Sequence, residues 1–126
     1  MFGWLKKKPP PPMGPDFSSI DSREKAEALL RRGELETLYL MPLELGGADI
    51  PPNVVYVPLG VAELKAGVDN NVIGPLVEEG TLTSYTATPE YQGRSFIPIA
   101  IRIVASDPGH FSTTINIWGE ALTRET

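Results

Sequence analysis

The sequence predicts an α+β fold, a largely antiparallel sheet of about five strands with two helices on one face. Three observations carry that expectation. Two alternating apolar runs near the C-terminus, Phe96 to Ala105 and Phe111 to Trp118, have the period of two that marks strands with one buried side. Asp107-Pro108-Gly109 between them supplies a residue that presets φ and one that tolerates positive φ, so the chain turns back there. Two stretches upstream, one beginning near Asp21 and one near Gly60, carry apolar residues at helical spacing. The element order is α-β-β-α-β-β-β, and no internal repeat is visible.

Each element has a local reason. The first helix is expected to open at Asp21, with Glu24 three residues on as in a capping box. Ala26, Leu29 and Leu30 form its apolar stripe, and Gly33 ends it. Leu35 to Met41 alternates with both faces fairly apolar, which predicts a central strand. Pro42 to Asn53, with Gly46-Gly47 and Pro51-Pro52, is a long loop, and Val54 to Val57 is a short β-branched strand.

The second helix follows from about Gly60, with Val61, Leu64 and Val68 on one face. Asp69-Asn70-Asn71 and Gly74-Pro75 interrupt it, predicting a kink or two shorter helices. Thr81 to Ala87 is the third strand, and Pro89 to Ser95 a loop. In the fourth strand Ile97, Ile99, Ile101 and Ile103 share a face, with Pro98 inside it. Proline cannot donate to a ladder, so an edge or a bulge is expected there. In the fifth, Phe111, Thr113, Ile115 and Ile117 share a face.

With 126 residues the chain is long enough for one domain with a real core, here expected over 16–126. Residues 1–15 read as a flexible tail rich in lysine and proline, in which Pro9 to Pro12 favours polyproline II geometry. Zero cysteines remove disulfides and thiolate chemistry, and fit a reducing compartment. Phe2-Gly3-Trp4-Leu5 precedes Lys6-Lys7-Lys8, the reverse of a secretory signal, and no run has the length of a membrane span. A cytoplasmic protein is expected. Outside the first 15 residues the chain carries 8 basic and 16 acidic groups, a balance that repels nucleic acid and attracts a basic partner.

No catalytic signature emerges, and no cofactor or metal is expected. His110, the single histidine, is either a base oriented by Asp107 or a solvated residue of the hairpin tip. No serine sits in a nucleophile elbow. The binding candidates are Glu44 and Asp49 in the long loop, Glu90, Tyr91 and Arg94 around the Pro89 to Ser95 loop, and Trp118. Tyrosine, arginine and tryptophan are favoured interface anchors. Trp118 alternates away from the isoleucine face, so it lines either an exposed patch or a second small core.

Leu38-Tyr39-Leu40-Met41-Pro42-Leu43-Glu44-Leu45-Gly46-Gly47, Tyr56-Val57-Pro58-Leu59-Gly60 and Pro89 to Pro98 resemble stretches of small bacterial proteins. Their build, an acidic α+β domain without cysteines, is similar to immunity proteins of polymorphic toxin systems. The resemblance implies stoichiometric binding of another protein and transfers no catalytic residue. A pocket between helices and sheet lined by Glu44, Asp49 and Glu90, for a small molecule or a carboxylate-based enzyme, is the alternative. Self-assembly through the tail or an edge near Pro98 is a third.

Overall fold

Ser22, not Asp21, opens the first helix. The computed structural model describes residues 15–124, so the tail expected over 1–15 lies almost wholly outside it. In α1, Arg23–Arg31, Ser22 has the extended backbone of an N-cap, and its Oγ accepts the Lys25 amide at 3.2 Å. Asp21 is one residue too early for that bond and pairs instead with Lys25 Nζ at 2.8 Å. The helix stops where expected: Gly33 takes positive φ, and the Glu34 amide donates to Leu29 O at 2.9 Å.

Strands β1, Leu35–Tyr39, and β2, Val54–Pro58, form an antiparallel ribbon, with Leu35 opposite Pro58 and Tyr39 opposite Val54. The ribbon is a sheet of its own, so β1 is not the central strand that its apolar faces predict. Helix α1 packs on β1, and the second helical segment touches both strands. The loop between β1 and β2 holds two 3-10 turns, Leu43–Leu45 and Pro51–Asn53. It folds back tightly at Gly47, where any Cβ would collide with the Met41 carbonyl.

Helix α2, Val61–Val68, runs into a π turn, Asp69–Ile73, and then into α3, Gly74–Glu78. The expected interruption therefore takes the form of a wider turn joining two short helices. Pro75 sits in the first turn of α3, where the missing N–H is least costly. The N-cap of α2 is Gly60, which has no side chain to cap with. Glu36 of β1 does so from outside, its Oε2 accepting the amides of Gly60 at 2.8 Å and Ala62 at 3.2 Å. That contact ties the helix to the ribbon. The inward stripe is corrected at one position: Leu64 is 63% exposed, and the buried place goes to Lys65, only 2% exposed.

The second sheet has the order β3-β4-β5, all antiparallel. Its strands are β3, Leu82–Glu90; β4, Ala100–Pro108; and β5, His110–Asn116. The five strands thus divide two and three between separate sheets. The helical segment lies between them in sequence, α2 touching β1 and β2 while α3 touches β3.

β4 is central, and it starts after Pro98, which is itself buried. The proline ring precedes the ladder instead of breaking it, which corrects the edge expected there. Around it the chain is held by Ile99, whose amide donates to Glu90 O at 2.7 Å and whose carbonyl accepts the Ile117 amide at 2.7 Å. Ile97, Ile99, Ile101 and Ile103 all lie in the core, as their alternation predicts. At the hairpin the Gly109 amide donates to Thr81 O at 2.8 Å, and a Cβ there would meet Thr81 Cγ2 at 2.6 Å.

Candidate functional site

A lysine buried in a protein needs partners for its charge. Lys65 occupies positions i+4 from Val61 and i−4 from Asp69, so the α2 stripe turns it inward and the π turn brings the carboxylate beneath it. Lys65 Nζ lies 2.7 Å from Asp69 Oδ2 and 2.8 Å from the hydroxyl of Tyr85, which reaches in from β3. Tyr85 Oη in turn donates to Asp69 Oδ1 at 2.8 Å. Each corner of the triangle bonds the other two.

Burial pushes the Lys65 ammonium below its ordinary pKa, opposed by Asp69 and, more weakly, by Glu44. Burial, reinforced by the Asp69 carboxylate, pushes the Tyr85 hydroxyl well up. The triangle is a closed, neutral unit of one cation and one anion. π turns recur at functional sites because they widen the helix and re-aim side chains.

Lys65 and Asp69 also form the floor of an open cleft of about 190 Å³. Thr37 and Tyr39 of β1 make one wall, Ala62 and Ala66 of α2 the other, and Leu43 and Glu44 the lip. A second hollow of about 410 Å³ shares Pro42, Glu44, Asp69 and Asn70 with it and continues to Pro75 and Glu78. The two make a groove across the π turn. Among the described residues neither Glu44 nor Glu78 has an ion pair, so the groove carries two unneutralised carboxylates. The first hollow is below the roughly 300–1,000 Å³ of small-molecule pockets and has room for about one side chain. No group of three or more His, Cys, Asp or Glu side chains that could hold a metal occurs among the described residues.

Of the residues singled out from the sequence, Glu44 is in this cleft. Asp49 is exposed and does not line it, but it adds to the effect of burial that pushes the hydroxyl of the cleft's Tyr39 up. Glu90 is elsewhere, held by Arg124 through two bonds of 2.9 and 2.5 Å that keep its carboxyl below the usual range. The three carboxylates therefore do not converge on one pocket. Tyr91 lines a separate groove with Arg23, Tyr56 and Phe96, and Arg94 is exposed.

Trp118 is 1% exposed, its Nε1 donating to Ile97 O at 2.9 Å and its ring meeting Phe17 edge-on at 5.9 Å. It belongs to the core rather than to an exposed patch, because β5 ends at Asn116 and the chain turns inward beyond it. His110 is exposed opposite Ser106 at the hairpin.

Lys65, Asp69 and Tyr85 have no place among the sequence candidates. A signal for two of them exists: Val61, Lys65, Val68 and Asp69 follow the i, i+4, i+7, i+8 rule of a buried stripe. No protein-family model, no curated protein and no solved structure matches the chain.

Proposed function

We propose that the protein is a stoichiometric protein-binding module, immunity-like in engaging one partner per copy, and acting in the cytoplasm. The groove across the π turn receives a basic side chain carried on an apolar segment of that partner. One observation carries this reading: Leu43, 46% exposed, stands at the lip of a side-chain-sized cleft beside the carboxylate of Glu44, which has no ion pair among the described residues. Apolar area flanked by a single sign of charge favours a complementary surface, and the acidic body steers a basic partner toward it. A small-molecule site is the weaker alternative, since the cation of the cleft is already neutralised by Asp69.

The test is capture of the tagged full chain from its host, followed by intact mass of the complex. A defined heteromer is expected, lost in Glu44→Lys and retained in Glu24→Lys, a charge reversal on exposed α1. A partner held equally by both variants, or none at defined stoichiometry, overturns the assignment.

A further inference from the structure

A separate concavity, of about 210 Å³, shares no lining residue with the cleft at Lys65. It is walled by Tyr56 of β2, Tyr91 and Phe96 of the loop after β3, Pro51, Pro89 and Arg23. Helix α1 fixes two of the rings. The Arg23 guanidinium lies 5.9 Å from the Phe96 ring centroid and donates to the Tyr56 hydroxyl at 3.5 Å. That hydroxyl donates to Glu27 Oε2 at 3.4 Å. Tyr91 is 46% exposed. A groove of rigid aromatic rings and prolines is the chemistry that receives polyproline II segments, whose pre-set φ leaves little entropy to lose on docking.

We propose that this groove seats the chain's own Pro9–Pro12 segment, within the same molecule. The sequence holds one run of four prolines, and the chain leading from it is pinned beside the groove. The Phe96 amide donates to Ile20 O at 2.7 Å, and Ser95 Oγ donates to Phe17 O at 2.8 Å. Seven residues lie between Pro12 and Ile20, eight Cα steps with a reach of up to about 26 Å, which covers a groove whose wall Ile20 already touches. A tether that short gives an effective concentration on the order of millimolar, enough to fill a weak site without a second molecule. Charge agrees: Lys6, Lys7 and Lys8 precede the prolines, and α1 beside the groove presents Glu24 and Glu27.

The absence of cysteine permits a clean test. A nitroxide on Met13→Cys in the full chain is expected to broaden the amide signals of Tyr56 and Tyr91 several-fold more than those of β5. Replacing Pro10 and Pro11 by serine in the same labelled chain keeps the tether and is expected to abolish that excess, as is Tyr91→Ala. Broadening that survives the serine substitutions reports only the tether and overturns the proposal. So does broadening of an isotope-labelled, nitroxide-free chain by a nitroxide-bearing second copy, which assigns the groove to another molecule. Equal broadening everywhere overturns it as well.

Discussion

Lys65 and Asp69, one helical turn apart, meet at 2.7 Å with side chains only 3% and 8% exposed. Desolvation of two charges is costly, and here Tyr85 completes the hydrogen bonding that offsets it. Removing one partner leaves the other charge buried and alone. Asp69→Ala is expected to cost about 3–5 kcal/mol in urea unfolding. The triple variant Lys65→Met, Asp69→Leu, Tyr85→Phe removes the charges together and is expected to cost less than that single change. An Asp69→Ala loss below about 1 kcal/mol would show that the triangle is not dry.

The same triangle sets an alkaline limit. The folded state keeps Tyr85 neutral after the unfolded chain has begun to ionise, so its contribution is present below pH 10.0 and is lost as pH rises beyond. Lys65 acts in the opposite sense. Its lowered pKa means the burial penalty is full at neutral pH and is relieved as pH climbs toward 10.5. Lys65 is common to the native chain and Tyr85→Phe, so comparing the two isolates the tyrosine. Thermal unfolding between pH 8 and 11 is expected to fall more steeply for the native chain than for Tyr85→Phe. Parallel curves would refute this.

Glu36 is an outside cap, and its loss should be felt in α2. The carboxylate serves two amides of a helix whose own N-cap is glycine, and it lies at the positive end of the helix dipole. Glu36→Ala is expected to cost about 1–2 kcal/mol, with faster hydrogen exchange at Gly60 and Ala62. Unchanged protection at both amides would refute the capping role.

What the sequence made legible was local. The isoleucine alternation, the Gly33 stop and the broken second helix follow from backbone preferences that a few neighbouring residues decide. The chain does turn back at Asp107 to Gly109, but the positive φ expected at the glycine falls on Asp107. The division into two sheets depended on which faces the helices cover, and no short-range pattern encodes that. Pro98 misled because alternation continues through it, although the ladder begins only at Ala100. Lys65 was missed because hydropathy put Leu64 inward. A buried lysine becomes favourable only once Tyr85, twenty residues away, is folded against it. Glu44 was legible as a loop carboxylate, but its cleft was not.

Asn53 governs that lip from the far end of the loop. Its Oδ1 accepts the Met41 amide at 2.7 Å, and its Nδ2 donates to Met41 O at 3.0 Å and Ala48 O at 2.9 Å. One side-chain amide thus closes both ends of the segment that carries Leu43 and Glu44. Asn53→Ala leaves a part-buried backbone donor without its partner and is expected to cost about 1–3 kcal/mol. Asn53→Asp should cost more, because a carboxylate then faces the carbonyls of Met41 and Ala48. Both should speed exchange of the Met41 amide and weaken partner binding with Glu44 intact, since the lip loses its anchor. If Met41 stays protected in Asn53→Ala, the loop is held by the Leu40 amide donating to Asn53 O at 2.9 Å, and the side chain is dispensable.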